Sequence, residues 1–576
     1  MDILKTYKEV AHNLPDKILT WHLFGAGMES FGKDKQPIEL PMPKYGPDEL
    51  LVRVDAVSIC FSDIKVINQG DKHPRLVGRD LVKDPVTLGH EAAVTIVGVG
   101  ENAKDRFSIG QRFTVQADVF VGGKSMAFGY VLPGGQTQYQ VIGKEMLDGD
   151  EGCYLLPMQD ATGYAEAALA EPWACVVASY KINRRPTIKS GGSLWIIGNP
   201  GDDGDYSIDM DIDPKLVLAT DVQWPVLDQL NFWAEAGRFE LKKTSAFKSL
   251  DFEAVEKEYG SFDDIIILGP DADHIERSAP FLAKHGMMNI VGSRPLERTT
   301  EIDVGKVHYQ NHSYVGTTSK HVALAYELIR MPSELKPGGT AWFIGAGGPM
   351  GQMHVQRAVE MADGPKKVIA TDVDTARLNS VKERFAPVAA RNGVELIAAN
   401  PNEMDGEDID RMLKQFTDGR GFDDIVMLAP VPALIEQAAQ YLADQGLMNV
   451  FAGVPIGTIV SLDLNDVYTR QVRFVGSSGS KVSDMLDTLH ATESGQISTN
   501  TSVAAIGGIG ASWDGMLAAK EGRFPGKILI YPQINLELTA VQDLKGKLPN
   551  VYAKLTDGMF WNREAEAELL KTMLNY

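Results

Sequence analysis

The chain has 576 residues, 44% of them hydrophobic and 23% charged, with 56 basic against 77 acidic side chains and a net charge of −21. At roughly 150 residues per domain, that length predicts about four domain-sized units. A surface this acidic repels phosphate backbones and anionic lipid, which excludes a general role on nucleic acid or a membrane surface but leaves room for a locally basic pocket.

Three cysteines, Cys60, Cys153 and Cys175, are too few for a disulfide framework or a four-cysteine zinc lobe. The opening MDILKTYKEVAHNLPDK has no apolar run and reads as no signal peptide. No stretch reaches the ~20 apolar residues of a membrane span. The expectation is a cytoplasmic enzyme.

In chain order, the first ~185 residues carry short strand signals punctuated by Gly and Pro: ELLVRVDAVSIC, AAVTIVGVG, QRFTVQADVFV and TQYQVI. Helical patterning is sparse until EAALAEPWACVVASYKI, so a compact β-rich domain is expected. From about residue 190 strands and helices alternate, as in α/β folds. Two stretches there match each other without gaps. They are FDDIIILGPDADHIERSAPFLAKHGMMNIV from Phe262 and FDDIVMLAPVPALIEQAAQYLADQGLMNVF from Phe422, with fourteen of the 30 positions identical. GGSLWIIGN answers GGTAWFIGA, LATDV answers IATDV, and SYVGTTS answers RFVGSSG. The chain therefore carries two tandem α/β units. The text returns to strand signals at FPGKILIYPQI before a polar helical tail, expected to pack on the surface or on a partner subunit.

In the second unit TAWFIGAGGPMGQMHVQRAVEMA reads as strand, glycine turn and helix, followed by the strand KKVIATDV and Asp372. Such a turn lets backbone approach a pyrophosphate, and the helix start donates free N–H groups to it. Gly345, Gly347, Gly348, Pro349, Met350 and Gly351 are the candidate cradle. Asp372 lies where a carboxylate accepts the adenosine ribose hydroxyls and repels a 2′-phosphate, favouring NAD over NADP. Ala346 stands at the first glycine position of G-x-G-x-x-G, so Gly345 or Gly347 must supply the tight turn.

The first unit has lost this chemistry. Its turn, GNPGDDGDYSID, puts Asp202, Asp203 and Asp205 where phosphates would lie. Two unit charges ~4 Å apart repel by about 4 kcal/mol at an effective dielectric of 20. The connection is also shorter, so its helix is expected to be stunted or missing. A structural spacer or an oligomer interface is the expected role.

Three fragments of the first domain together fit one zinc site: SICFSD with Cys60, TLGHEAA with His90 and ALAEPWACV with Glu171. Zinc takes thiolate, imidazole and carboxylate ligands, and a catalytic site keeps one position open. Alone, each has a plain structural reading: a buried cysteine, a core histidine, and a helix-start acid beside Pro172 at the first helical position.

Their order and context resemble the zinc-dependent medium-chain dehydrogenases, the family of alcohol, sorbitol and threonine dehydrogenases. The matching motifs are Cys60-Phe61-Ser62-Asp63, Gly89-His90-Glu91 and Glu171-Pro172. The text SICFSDIKVINQG, PVTLGHE, GQRFTVQAD, GLMNVFAG and DVYTRQVRFVGSSG is similar to the sorbose-1-phosphate reductase branch. The resemblance implies an α/β fold with a β-rich GroES-like catalytic domain (1–187 and 481–535) and an NAD-binding Rossmann domain (323–480). The degenerate Rossmann-like repeat (188–322) is an insertion relative to the family's single Rossmann unit; both repeats are expected to be doubly wound parallel sheets, with a helical tail at 536–576. It implies one catalytic zinc on Cys60, His90 and Glu171. No structural zinc is expected, since residues 91–152 contain no cysteine.

Carried over in the same way, Glu91 stands behind the metal or ligates it when water leaves. Ser62 passes the substrate proton towards the cofactor ribose, and Asp63 orients Cys60 and His90. Lys527 reaches the pyrophosphate, and Arg377 lines the adenosine pocket. The implied reaction is hydride transfer between NAD(H) and a secondary alcohol or ketone of a sugar, polyol or ketose phosphate, in a homo-oligomer. Lys65, His73 and Arg75 follow the metal cysteine and are candidates for a substrate phosphate, with solvated surface charge as the plain alternative. A redox-neutral lyase or epimerase using NAD transiently, or a non-catalytic NAD-binding scaffold, are the competing functions.

Overall fold

The strand Leu50–Ile59 is buried along its whole length, in a computed structural model that describes residues 3–202, 204–327 and 332–575. It lies centrally in an eight-stranded sheet, with Lys527–Tyr531 on one side, Glu91–Val99 on the other and Tyr139–Ile142 against its first half. These three neighbours are antiparallel to it. Ile528 stands opposite Ile59, and Ser58 opposite Glu91. One end of the sheet therefore collects Lys527 as its strand begins, Cys60 as its strand ends, and His90 just ahead of Glu91.

Two units make up the chain: Met1–Ala178 with Gly348–Met353 and Gly479–Tyr576, and Ser179–Gly347 with His354–Ser478. The first unit contains the eight-stranded sheet and the C-terminal tail. The tail helix Arg563–Met573 buries Ala565, Glu566, Leu569 and Leu570. Glu566 accepts from the backbone N–H groups of Tyr164 and Ala165, 2.7 Å each, and from the Tyr531 hydroxyl at 2.9 Å. The tail is thus tied into its own unit.

The second unit holds two six-stranded parallel sheets. The first runs Glu240–Lys243, Leu216–Thr220, Ser193–Gly198, Phe262–Leu268, Leu282–Val291, Ser313–Thr317. The second runs Glu395–Ala399, Lys367–Thr371, Thr340–Ile344, Phe422–Met427, Leu442–Val450, Arg473–Val475. Numbered within each repeat, both orders are 3-2-1-4-5-6, the doubly wound dinucleotide-binding arrangement. The duplication in the sequence is a duplication of fold.

The repeats meet through an antiparallel pair, Thr300–Asp303 with Ile459–Leu462. Its register puts Thr300 opposite Leu462, Glu301 opposite Ser461 and Ile302 opposite Val460. Phe262 aligns with Phe422, so Glu301 and Ser461 are counterparts, and each pairs with its own image. That is the geometry of an isologous, two-fold contact. Buried Val304, Val307, Tyr314, Leu464, Val467 and Phe474 fill the core beneath it. This contact joins the two repeats of the one chain.

No helix lies between Gly198 and Leu216 among the described residues. The expected loss of that helix holds, and Tyr206, Ile208 and Ile212 from the replacing loop are buried in the core. Asp202 turns back on this loop, accepting from Gly204 N at 2.8 Å and from the Tyr206 hydroxyl at 3.1 Å. Asp203 lies outside the described residues.

Candidate active site

Cys60 caps the helix Phe61–Gln69, and Asp63 closes its first turn by accepting from Cys60 N at 3.0 Å. The other oxygen of Asp63 accepts from Gly89 N at 3.3 Å and faces His90 Nδ1 at 3.3 Å. One buried carboxylate thereby fixes the cysteine, the loop before the histidine and the imidazole ring. A histidine held in this way on one ring nitrogen presents the other to a metal. Ser62 Oγ lies 3.3 Å from His90 Nε2.

Cys60, His90 and Glu91 form a group whose ligand atoms lie within 4.8 Å of one another. Glu91 is closed to solvent, and its Oε2 has no hydrogen-bond partner. A buried carboxylate oxygen without a donor is costly unless a cation completes it. Thiol, imidazole and carboxylate are also the donor types zinc takes. The residues present fit the metal.

Glu171 stands outside this tight group. It is 9% exposed, in the first turn of the helix Ala170–Ser179. Burial pushes its carboxyl up to about 7, with His90 and Lys527 acting against Glu91 and Asp118. Its charge therefore faces the cluster, while Glu91 holds the nearer place. The helix begins at Ala170, so Pro172 is its third residue and not its first, still within the turn whose N–H groups need no intrahelical partner.

Lys527 is also placed differently from expectation. Its ammonium donates to Glu91 Oε1, and it is 3% exposed. The Glu91 and Cys60 charges hold its pKa above the usual lysine value against the cost of burial. The antiparallel register next to Ile59 puts it there.

Tyr130 is a site residue that sequence reasoning missed. Its ring lies 5.4 Å from that of His90, and its phenol faces Ser62. The preceding Gly129 has φ +79°, and a Cβ there would meet His90 Cβ at 3.1 Å. The available signal was the Gly129-Tyr130 dipeptide itself, a glycine next to an aromatic.

In the second repeat Gly345 takes φ +83°, so the tight turn is at Gly345. Gly347 N donates to Asp372 Oδ2 at 2.8 Å, and a Cβ on Gly347 would meet Asp372 Cγ at 2.9 Å. Gly348 has open space beside it. Pro349, Met350 and Gly351 open the helix Pro349–Glu360. Arg377 pairs with Asp374 at 3.5 Å, one turn beyond Asp372. A cavity of about 480 Å³ lies beside the strand ends, lined by Trp342, Ile344, Asp372, Pro401, Leu434 and Tyr441. Apolar walls with one carboxylate at the edge suit an adenosine.

The corresponding space in the first repeat is filled. Phe247, 1% exposed, opens the turn that Pro401 opens in the second repeat. Its backbone N–H occupies Asp221, the counterpart of Asp372, at 2.8 Å. Phe247 packs with Trp195 and Phe252.

Two family models match the chain: the alcohol dehydrogenase GroES-like domain over residues 46–172 and the zinc-binding dehydrogenase domain over 349–493. The chain is 26% identical over 554 residues to a mannitol-1-phosphate 5-dehydrogenase of Aliivibrio fischeri, covering 94% of this chain and 95% of that protein. It is 28% identical over 312 residues to an L-sorbose 1-phosphate reductase of Klebsiella pneumoniae, covering 50% of this chain and 74% of that protein. Among solved structures, 2R,3R-butanediol dehydrogenase from Bacillus subtilis shares the fold at a TM-score of 0.50 and 16% identity, covering 89% of this chain and 99% of that one. By these two models and relatives, residues 46–172 and 349–493 match the zinc-dependent medium-chain dehydrogenases. The relatives it matches are named as oxidoreductases, a dehydrogenase and a reductase. No helix among the described residues is long and apolar enough to cross a membrane.

Proposed function

We propose that the protein moves a hydride between NAD(H) and a secondary alcohol or ketone of a sugar, polyol or ketose phosphate. The observation that carries this reading is the Cys60–His90–Glu91 group, organised by Asp63 and left with a donorless carboxylate oxygen. The names of the relatives, a hexitol-phosphate dehydrogenase and a ketose-phosphate reductase, support the substrate class.

Cys60, His90 and Glu171 would hold the single catalytic zinc in this reading, and Glu91, paired with Lys527, would stand behind them as a further ligand. When bound, zinc polarises the substrate oxygen, and the nicotinamide gives or takes the hydride. Ser62, held between His90 and Tyr130, takes the substrate hydroxyl proton on oxidation and returns it on reduction. Asp63 keeps Cys60 and His90 in place. Residues 1–187 with 481–535 supply these groups, and residues 323–480 take the cofactor. Gly345, Gly347, Gly348, Pro349, Met350 and Gly351 pass along the pyrophosphate, and Asp372 and Arg377 face the adenosine. The Asp372 carboxylate supports NAD over NADP.

The test is an NADH absorbance assay in both directions over ketoses, ketose 1-phosphates, hexitol phosphates and polyols, with metal content measured on the same sample. Turnover of one compound that collapses in Glu171→Ala is the expected result. Zinc-loaded protein that turns over no compound with net NADH change would sink the reading.

A further inference from the structure

The segment following the metal cysteine is unusually basic for so acidic a chain, with Lys65, Lys72, His73, Arg75 and Arg79 within fifteen residues. Its two arginines are used in different ways. Arg79 spends its donors on the carbonyls of Tyr130 and Val131 at 3.1 and 3.0 Å, those of Asp84 and Pro85 at 2.9 and 3.0 Å, and the Asp84 carboxylate at 3.1 Å. It staples the Tyr130 loop. Arg75 lies over the Tyr130 ring, 4.7 Å from its centroid, and gives one N–H to Asp118 at 3.0 Å. A guanidinium has five such donors in a fixed fork that matches phosphate.

Two more basic groups converge on the same place. His73 stacks obliquely on Tyr130 at 5.8 Å, and its Nδ1 accepts from Arg75 N at 3.3 Å. Accepting there leaves the neutral ring's proton on Nε2, as an outward donor. Lys65 stands three residues beyond Ser62 on the helix Phe61–Gln69, hence on the same face. Its charge and that of Arg75 both act on His73. Tyr130 also meets His90, with 5.4 Å between ring centroids. One aromatic ring thus touches Arg75 and His73 as well as His90 of the metal cluster.

We propose that Lys65, His73 and Arg75 form the subsite for the phosphate of a phosphorylated polyol or ketose, beside the Cys60–His90 cluster at the Tyr130 ring. The inference rests on the hydride-transfer reading and narrows its substrate class from sugars and polyols in general to their phosphate monoesters. Asp118 sets the angle of the guanidinium and offsets part of its charge, so an unphosphorylated substrate meets no strong field there. Phosphate, carrying close to two negative charges, outcompetes that single carboxylate.

The test uses the zinc-loaded full chain and matched substrate pairs, a ketose 1-phosphate or hexitol phosphate against the same compound without phosphate. Arg75→Gln and Lys65→Gln are compared with wild type and with Lys83→Gln, a control whose lysine is 84% exposed and paired with Asp80. The ratio of kcat/KM for phosphorylated over unphosphorylated substrate is expected to fall on the order of 100-fold in Arg75→Gln and about 10-fold in Lys65→Gln. It stays at the wild-type value in Lys83→Gln. An unchanged ratio in Arg75→Gln, or an equal loss on both substrates, overturns the subsite. If no compound is turned over, the hydride-transfer reading falls separately, and the subsite is then read by titration with inorganic phosphate. Binding that weakens in Arg75→Gln upholds it, and binding that is absent or indifferent to the substitution overturns it.

Discussion

The ammonium of Lys527 donates to the carboxylate of Glu91, and the two side chains are 4% and 0% exposed. A buried pair of this kind is held by mutual need: removing one partner strands the other's charge. Lys527→Met is therefore expected to destabilise the metal-free chain by about 3–5 kcal/mol, while adding Glu91→Gln restores most of that loss. Chemical denaturation of the two single variants and the double closes the cycle. Additive losses would mean that the two side chains do not act on each other.

Asp63 offers the second test, because its carboxylate serves three groups at once. Asp63→Asn keeps the shape but replaces one acceptor oxygen by a donor. That donor must then face either Cys60 N or the Gly89 N and His90 Nδ1 pair. Zinc affinity is expected to fall by about 10–100-fold, as for losses of a partner behind a metal histidine. Competition with a chromogenic chelator measures it. Wild-type affinity in the variant would reduce Asp63 to a helix-capping residue.

The short motifs around Cys60 and His90 were legible because each spans one turn at one end of a strand. The Lys527–Glu91 pair was not, since it joins positions 436 residues apart through strand register alone. For the same reason Glu91, and not Glu171, takes the near place beside Cys60 and His90. Tyr130 sits on a loop brought to His90 by Gly129, by the Arg79 staple and by backbone bonds from Gly134, Gly135 and Gln136 to residues 87–89. The duplicated fold and the lost helix of the first repeat could be read from matching text and a shortened acidic turn. The two-fold pairing of Glu301 with Ser461 could not, because nothing in either strand alone names its partner.

Asp372 and Gly347 together predict the cofactor response. The carboxylate already holds Gly347 N, so its place at the turn is fixed before any ligand arrives. Asp372→Ser removes a charge that would stand about 4 Å from a 2′-phosphate, worth up to ~4 kcal/mol at an effective dielectric of 20. The NADP/NAD ratio of kcat/KM is expected to rise about 100-fold. Gly347→Ala, whose Cβ would come within 2.7 Å of Arg377 Cβ, is expected to weaken both cofactors alike. A ratio unmoved in Asp372→Ser would remove the carboxylate from the ribose site.

Phe247 predicts the stoichiometry. In the first repeat its ring is buried against Trp195, its N–H occupies Asp221, and among the described residues no helix N-terminus follows the first strand. Neither half of a dinucleotide has a place to bind there. Calorimetric titration is expected to give one NADH per chain. A second equivalent would show that the aromatic plug opens.

Glu360 predicts a pH slope in stability. Burial pushes its carboxyl up to about 7, against the opposing hydrogen bond from Gln356. A carboxyl raised on folding keeps a proton that the unfolded chain releases at about 4.5. Its contribution is therefore full below pH 4.5 and is lost as pH climbs through 7, because above that the native state holds an ionised group in a poorly solvated place. Glu360→Gln, with no charge to bury, lacks this slope. The melting temperature of the variant relative to wild type is expected to rise between pH 5 and pH 8, by the equivalent of about 1–3 kcal/mol. A constant difference across that range would place the Glu360 carboxylate in water.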